Sequence, residues 1–327
     1  MVISIIIPAY NAELFLERCL SSVYQTTLPE HCFEVIAIND GSKDNTYGIL
    51  QLYQEKHPNF KVINQPNGGV SVARNNGIKA SNGDYALFLD ADDELIEGKL
   101  AIVYDFLLEH DPLDMLVTRQ IRNNGKERWQ LKAPSLEENK VYSGVEAYQN
   151  GYIRTNAGGG ICRTAFLREW QLCFPEGVKN AEDTIFFGQL QVYARSIVYL
   201  DLSLYLINEI DGSPAHSTDY TRLGKSHLIS LRSVAGVKAS LQGSREQKAI
   251  FDYVVYQLLA NTIAFFVASK ELSFRLFKSE VDLDYLLPLD TKNMFRMRKN
   301  AKLMNFSVPL FYALSWFKHG VQPHLKK

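Results

Sequence analysis

Three aspartates within four residues are the part of this sequence best suited to chemistry. Asp90, Asp92 and Asp93 directly follow the apolar run 87–89, so their carboxylates stand at the end of a predicted buried strand. Alternation along the chain directs Asp90 and Asp92 to the same side. Carboxylates this close repel one another unless a cation lies among them. Hard oxygen ligands of this type suit Mg²⁺ or Mn²⁺; the alternative is a solvated acidic turn or a helix N-cap.

Polar or small residues also follow two other predicted strands. Residues 8–11 follow the first strand, and residues 39–44 follow the second. Because the carboxyl ends of parallel strands meet at one edge of a sheet, ligands commonly bind there. The three groups are therefore expected to converge on one crevice.

The first 120 residues alternate predicted strands with predicted helices. The strands are short apolar runs rich in β-branched residues, and the helices follow capping residues such as Asn11 and Asn45. This order predicts an α/β fold in which a mostly parallel sheet carries helices on both faces. The predicted strands are Ile3–Ile7, Phe33–Ile38, Lys61–Asn64, Tyr85–Leu89 and Asp114–Thr118. The predicted helices are Ala12–Tyr24, Thr46–Glu55 and Gly69–Lys79.

The alternation weakens after residue 119. The polar stretch 123–139 suits a long loop or a hairpin, and from residue 221 the pattern is helical. We therefore predict one large domain at 1–218 and an α-helical C-terminal region at 219–327. The intervening predictions are helices at 144–151, 164–170 and 182–193, a strand at 197–199, and later helices at 228–241, 246–269 and after residue 300.

Four motifs occur in order in the first part of the chain. They are Ser4–Asn11 (SIIIPAYN), Asn39–Thr46 (NDGSKDNT), Asn67–Gly77 (NGGVSVARNNG) and Gly83–Asp93 (GDYALFLDADD). Together they resemble the family 2 glycosyltransferases, which have the Rossmann-like GT-A fold, and in particular bacterial enzymes of cell-envelope and capsular polysaccharide synthesis. Beyond residue 120 the likeness is sparser and rests on 180–187 (NAEDTIFF) and 212–217 (GSPAHS).

The resemblance implies a GT-A catalytic domain at 1–218, with nucleotide-sugar binding in 1–120 and the acceptor and base region in 121–218. Asp40 would accept a hydrogen bond from a base N–H, which favours uracil and hence a UDP-sugar; a turn residue before Gly41 is the alternative. Arg74 would pair with donor groups or with the acidic cluster. The donor-binding residues implied are Pro8, Ala9, Tyr10, Asn11, Asp40, Gly68, Gly69, Arg74, Asp90 and Ala91.

The resemblance also implies a Mn²⁺ or Mg²⁺ cofactor that bridges the donor diphosphate. Asp92 would be its principal ligand, with Asp93 assisting. His216 lies in a polar stretch suited to a lid and would touch the metal or a phosphate; a plain surface histidine is the alternative. Asp90 would bind the ribose hydroxyls.

An inverting transfer needs a base that removes the proton of the acceptor hydroxyl. Asp183 is the implied base, and the neighbouring Glu182 would orient it. Without the resemblance, the same pair would be interpreted as acidic residues in the first turn of a helix, where they are favoured by the helix dipole. Trp129 and Trp170 are candidates to stack on a sugar, or else core residues.

Composition sets limits on the partners. The chain has 327 residues, 46% of them hydrophobic, and a formal net charge of −1, which gives no general attraction to nucleic acid. Its four cysteines form no CxxC pair, which favours a reduced, cytoplasmic protein. The N-terminal apolar run lacks a basic segment and is not expected to be a signal peptide. No apolar stretch of ~20 residues predicts a membrane-spanning helix.

The C-terminal tail allows two interpretations. Residues 290–327 carry eight Lys and Arg residues against Asp290 alone, and their apolar residues cluster between Phe306 and Phe317. Basic flanks around aromatic residues are typical of a segment lying on an anionic membrane, here the inner face. A terminal helix docked on the enzyme or on another subunit is the alternative.

The predicted reaction is transfer from a UDP-sugar to a saccharide or lipid-linked saccharide. Two other functions remain compatible with the sequence. A sugar-phosphate nucleotidyltransferase shares the fold and the metal carboxylates, but it releases pyrophosphate and has no need of Asp183 as a base. A non-catalytic saccharide-binding protein has no need of either set of carboxylates.

Overall fold

The computed structural model describes residues 1–110, 112–209, 218–269, 271–292 and 298–316. Strands and helices alternate through most of its first half, and helices alone follow residue 218. The first elements are β1 (Ile3–Ala9), α1 (Leu16–Tyr24), β2 (Phe33–Asp40), α2 (Thr46–Lys56), β3 (Phe60–Gln65), α3 (Val70–Ala80), β4 (Tyr85–Phe88), β5 (Glu94–Leu95), α4 (Lys99–Glu109), β6 (Met115–Asn123) and β7 (Arg128–Gln130). The later elements are β8 (Val141–Tyr142), α5 (Gly144–Gln149), β9 (Ile161–Arg163), α6 (Thr164–Glu169), α7 (Glu182–Tyr193), β10 (Ile197–Asn208), α8 (Tyr220–Ser240), α9 (Arg245–Ala268), α10 (Phe274–Glu280), α11 (Leu283–Leu286), α12 (Arg298–Phe306) and α13 (Val308–Trp316).

The strands form one mixed, mostly parallel sheet in the order β3-β2-β1-β4-β9-β6-β10-β5, with β7 added to β6 and β8 to β10. The first four strands of this order are parallel. β9 runs antiparallel to both of its neighbours, and β6 and β10 are again parallel. β4 and β6 therefore point the same way, so their carboxyl ends lie at the same edge. The predicted α/β fold is confirmed.

Helices cover both faces of the parallel part, because β1, β2 and β4 are buried on both sides. Ile3, Ile5 and Ile7 belong to the core that contains buried residues of α1, α2 and α4. On the opposite face, a Cβ added to Gly77 of α3 would lie 2.3 Å from Cγ2 of Ile6. Only glycine lets α3 approach the sheet this closely.

The described residues divide into two compact units that are interleaved along the chain. The sheet unit comprises 1–152, 156–176 and 194–210, and the helical unit comprises 153–155, 177–193 and 211–327. Residues of the segment 1–218 thus contribute to both units. The domain boundary at 218/219 stays a prediction.

α8 and α9 are the two longest helices of the helical unit, and α7 packs against α9. A Cβ added to Gly188 of α7 would lie 2.6 Å from Cγ2 of Val254 in α9. By length and composition alone, α9 is the one helix among the described residues that could cross a membrane. Its most apolar window is 72% buried inside the protein, which is typical of a core helix.

Candidate active site

The carboxyl ends of β1 and β2 are tied together by side chains. In the parallel pairing of β1 with β2, Ala9 lies beside Asn39. Beyond the strands, the Asn11 backbone N–H donates to Oγ of Ser42 (3.0 Å), and the Lys43 N–H donates to Oδ1 of Asn11 (2.8 Å). Asn11 adopts a positive φ of 48°, which asparagine tolerates better than most residues. Pro8 and Ala9 are the last residues of β1, and Tyr10 and Asn11 follow in a fixed turn on which Tyr10 is exposed; residues 8–11 together form the rim of this strand edge.

The Asp40 carboxylate is buried and organises the loop before α3. It accepts hydrogen bonds of 2.8 Å from the backbone N–H groups of Gly68 and Gly69, and another of 2.8 Å from Nε2 of Gln65. A carboxylate has about four lone-pair directions, so one remains for a further donor. The role of Asp40 toward a base N–H stays a prediction. Its contact with Gly68 and Gly69 was not anticipated.

Two glycines make this loop possible. Gly69 has a φ of 88° directly before α3, and Gly41 has a φ of 69°. A Cβ on Gly41 would lie 2.7 Å from the backbone N of Asn67, so a side chain there would push the loop away from β2. The amino end of α3 is thereby presented at the strand edge, where its dipole and free N–H groups favour an anion.

Arg74 connects α3 to the acidic turn. Its Nη2 atom donates to Oδ1 of Asp90 at 2.8 Å, and the Arg74 side chain is 4% exposed. The guanidinium carbon lies 5.1 Å from the centre of the Phe174 ring. Arg74 was predicted to pair either with donor groups or with the acidic cluster, and in the structure it pairs with Asp90 of that cluster.

Residues 90–93 (Asp90, Ala91, Asp92 and Asp93) form a turn directly after β4, closed by a hydrogen bond from the Asp93 N–H to the Asp90 carbonyl. Burial, and then the charge of Asp90, raises the pKa of Asp92. Burial, followed by the charges of Asp90 and Asp92, raises the pKa of Asp93 to about 8. Both pKa values are thus raised first by burial and then by the neighbouring carboxylates.

The turn is held from outside by three residues that the sequence interpretation missed. The Tyr205 hydroxyl and the Asn208 N–H each donate to the Asp93 carboxylate at 2.8 Å. The Asn208 side chain donates to the Asp92 carbonyl (3.1 Å), as does Nη2 of Arg18 (3.0 Å). These contacts fix the Asp92 backbone. No side-chain donor among the described residues reaches the Asp92 carboxylate itself.

This arrangement fits a divalent cation that takes few protein ligands. Across the described residues, no group of three or more His, Cys, Asp and Glu side chains is arranged to enclose a metal ion. Mg²⁺ and Mn²⁺ sites of nucleotide enzymes commonly use one or two carboxylates and complete their coordination with phosphates and water. Asp92 offers such a carboxylate. Asp93 has its two oxygens bonded to Tyr205 and Asn208, so it is at most an assisting ligand.

The remaining candidates lie in the helical unit or outside the described residues. Glu182 and Asp183 form the first turn of α7, half-buried, after Ala181 with a φ of 67°. Thr184 of the same turn donates to the Thr155 carbonyl at 3.2 Å. His216 lies outside the described residues, so its role stays a prediction.

Comparison with known proteins agrees with this geometry. The model of "Glycosyl transferase family 2" matches residues 4–169, just over half of the chain. The chain is 40% identical over 211 residues to the uncharacterized glycosyltransferase YibD of Escherichia coli, covering 62% of this chain and 60% of that protein. It is 30% identical over 215 residues to the poly(ribitol-phosphate) beta-glucosyltransferase of Bacillus spizizenii, covering 65% of this chain and 33% of that protein.

Solved structures show the same fold. The structure of Staphylococcus aureus TarS 1–349 in complex with UDP-GlcNAc superposes with a TM-score of 0.70 at 23% identity, covering 97% of this chain and 90% of that one. Full-length TarS, a poly(ribitol-phosphate) beta-N-acetylglucosaminyltransferase, is 27% identical over 257 residues, which cover 78% of this chain and 44% of TarS. The chain spans from a third to about three fifths of the length of these curated relatives.

Proposed function

Because the chain belongs to glycosyl transferase family 2, we propose that it transfers a sugar from a UDP-sugar to a saccharide acceptor in the synthesis of a cell-envelope polysaccharide, glycolipid or cell-wall glycan. The observation that carries the proposal is the acidic turn 90–93, fixed beside the amino end of α3 with the Asp92 carboxylate left for a ligand. The names of the relatives support a UDP-sugar donor and a cell-envelope polymer as acceptor, since two of them act on poly(ribitol phosphate) and TarS was solved with UDP-GlcNAc.

The donor would lie across the strand edge. The rim formed by residues 8–11 would border the base, and the N–H groups at the start of α3 would face the diphosphate. Asp90, held by Arg74, would accept hydrogen bonds from the ribose hydroxyls. The Asp40 carboxylate would position the backbone of Gly68 and Gly69 for contact with the donor. One acceptor direction of this carboxylate would remain for an N–H group of the base.

The cofactor proposed is Mn²⁺ or Mg²⁺, held by Asp92 with Asp93 or His216 assisting. Bound there, it would neutralise the charge that develops on the departing diphosphate, an effect on the order of several kcal/mol. Support comes from the partly buried Asp92 carboxylate, which lies close enough to Asp90 for the charge of Asp90 to raise its pKa. A mannosyltransferase of Pyrobaculum calidifontis with the same fold (TM-score 0.54, 16% identity) was solved with GDP-Man and Mn²⁺.

Asp183 is the proposed general base of an inverting reaction. It lies in the first turn of α7, next to Glu182. With Asp183 as base and Glu182 orienting it, the acceptor oxygen would attack the anomeric carbon from the side opposite the diphosphate.

Peripheral binding to the inner face of an anionic membrane is proposed for α12 and α13. On one side α13 packs in the helical unit, where the Phe311 ring meets that of Tyr256 edge-to-face at 6.4 Å. Leu310 and Leu314 of α13 are 43% and 51% exposed, and Phe306 at the end of α12 is 83% exposed. No charged residue occurs between Lys302 and Lys318. An apolar exposed stripe between basic flanks matches an anionic lipid surface.

A panel of nucleotide sugars, incubated with Mn²⁺ and candidate acceptors, tests the proposed function. We expect release of UDP from one UDP-sugar and a product with inverted anomeric configuration by NMR. Release of pyrophosphate instead of UDP would establish a nucleotidyltransferase. Binding of saccharides without release of either would establish a non-catalytic saccharide-binding protein.

A further inference from the structure

We propose that the hairpin formed by β6 and β7 carries a subsite for a pyranose ring of the acceptor chain, built from Trp129 and Arg122. The inference rests on the proposed function and deepens it by naming the acceptor class: a saccharide with sugar rings beyond the residue that is modified. All the residues that carry it belong to the sheet unit.

Trp129 and Arg122 share one face of the sheet. They are directly opposite each other in the antiparallel pair of β6 and β7, and opposite residues place their side chains on the same side. The Trp129 side chain remains 38% exposed on this three-residue strand, all of whose residues are exposed. Part of the Trp129 side chain is therefore accessible to a ligand at the end of this hairpin.

The same face leads to the acidic turn. Gln120 lies two residues before Arg122 on β6, about 7 Å along the strand. Its side chain bonds to the Gly158 carbonyl and to Asn156. Gly158 lies against the Tyr205 ring, where a Cβ would come within 2.7 Å of Cζ.

Tyr205 in turn bonds to Asp93. The hairpin face is therefore continuous, through the 156–160 loop, with the residues around the proposed reaction centre.

The chemistry of this face favours an uncharged sugar ring. An indole ring offers a flat apolar surface together with an N–H donor, which suits the C–H face and the hydroxyls of a pyranose. The Arg122 guanidinium is balanced by Glu209, with Nη1 and Oε1 3.0 Å apart. Because this pair is neutral overall, it offers hydrogen bonds to hydroxyls without the net positive charge that a phosphodiester requires. A linear polyol phosphate would have no ring to cover Trp129.

The test compares Trp129→Ala with Trp129→Tyr, which retains an aromatic ring. Binding of cellotetraose, chitotetraose and poly(ribitol phosphate) is measured by calorimetry without donor, so that the result does not depend on catalysis. Titration with UDP and the melting temperature check that each variant is folded.

We expect a tetrasaccharide to bind, with about tenfold weaker affinity in Trp129→Ala, largely restored in Trp129→Tyr, and with unchanged UDP affinity. Equal affinity of wild type and Trp129→Ala, binding of poly(ribitol phosphate) alone, or no saccharide binding would each overturn the subsite. None of these outcomes affects UDP release from a donor, by which the proposed function is judged separately.

Discussion

The Tyr205 hydroxyl donates a hydrogen bond of 2.8 Å to Oδ2 of Asp93, and the Tyr205 hydroxyl oxygen accepts one of 3.1 Å from the backbone N–H of Asp90. A single buried side chain from β10 thus joins both ends of the acidic turn. Asp92 lies between these ends, and its backbone carbonyl accepts hydrogen bonds from the side chains of Arg18 and Asn208.

Tyr205→Phe keeps the ring against Gly158 but removes the hydroxyl. Two buried polar groups lose a partner, and each such loss costs roughly 1–3 kcal/mol of unfolding free energy. We expect a lower melting temperature and weaker Mn²⁺-dependent UDP binding by calorimetry. Tyr24→Phe, which removes a hydroxyl bonded to Asn59 far along the chain, is the control and should affect stability alone. Unchanged UDP binding in Tyr205→Phe would mean that the turn holds its shape without β10.

Asp92→Asn tests the metal ligand. Removing this charge relieves repulsion with Asp90, so stability should stay the same or rise slightly. Turnover should be abolished, and the increase in UDP affinity that Mn²⁺ brings should disappear. Asp105→Asn, at an exposed position of α4, should behave as wild type. If Mn²⁺ still strengthens UDP binding to Asp92→Asn as much as to wild type, Asp92 is no ligand.

Asp183→Asn keeps the shape of the side chain and removes its basicity. If Asp183 is the base, kcat should fall by ~10²-fold or more while UDP-sugar affinity stays nearly constant. Asp284→Asn removes an exposed carboxylate from the same unit and serves as the control. If Asp183→Asn retains a near-normal kcat with the true acceptor, Asp183 is not the base and serves only as a first-turn residue of α7.

The sequence predicted the strands of the parallel part closely, because each is an apolar run between turn residues. The sequence also predicted that residues 8–11, Asp40 and the aspartates of the turn 90–93 lie at one edge of the sheet. It missed Tyr205 and Asn208, since the predicted strand ended at Tyr199 while β10 continues to Asn208. The strict alternation of Leu with polar residues from Leu200 to Leu206 was the available signal. The hydrogen bonds of Asp40 to Gly68 and Gly69 join residues far apart in sequence, which no local pattern reveals.

His227 makes stability depend on pH. It is buried in α8, with its ring edge-to-face with Phe265 at 4.8 Å, and burial lowers its pKa from 6.5 to about 4. Between these values the unfolded chain binds more protons than the folded one, so stability is present above pH 6.5 and is lost as the pH falls toward 4. The loss approaches about 3 kcal/mol.

His227→Leu removes this titration. In urea unfolding between pH 4 and 8, wild type should lose stability on acidification and the variant should lose less. At pH 8, where His227 is neutral, any difference between the two proteins reflects packing alone. Parallel stability curves for the two proteins would show that other groups cause the acid sensitivity.

The membrane proposal is best tested on the exposed side of α13. Leu310→Glu with Leu314→Glu places negative charge on the stripe and leaves the packed residues Val308 and Phe311 in place. We expect wild type to co-sediment with vesicles containing phosphatidylglycerol, less so at high salt, and the double variant to stay in solution. Leu52→Glu, at a leucine of α2 that is 65% exposed, is the control.

Binding to phosphatidylcholine vesicles as strong as to anionic ones would contradict the electrostatic part of the membrane proposal. If the wild-type protein binds no vesicles of either composition, the membrane proposal is wrong. The role of α13 is then packing within the protein, as in its Phe311–Tyr256 contact. UDP affinity should be the same in every one of these variants.

The interleaved units limit how the specificity of this enzyme could be exchanged with that of a relative. The chain passes from one unit to the other five times, and three separate segments make up the helical unit. A single crossover at residue 218 would separate α7 from α9 and expose apolar residues such as Phe186 and Phe187. Chimeras, whether natural or engineered, should therefore succeed only when 153–155, 177–193 and 211 onward are transplanted together. Point substitution is the easier route by which a new acceptor preference could evolve.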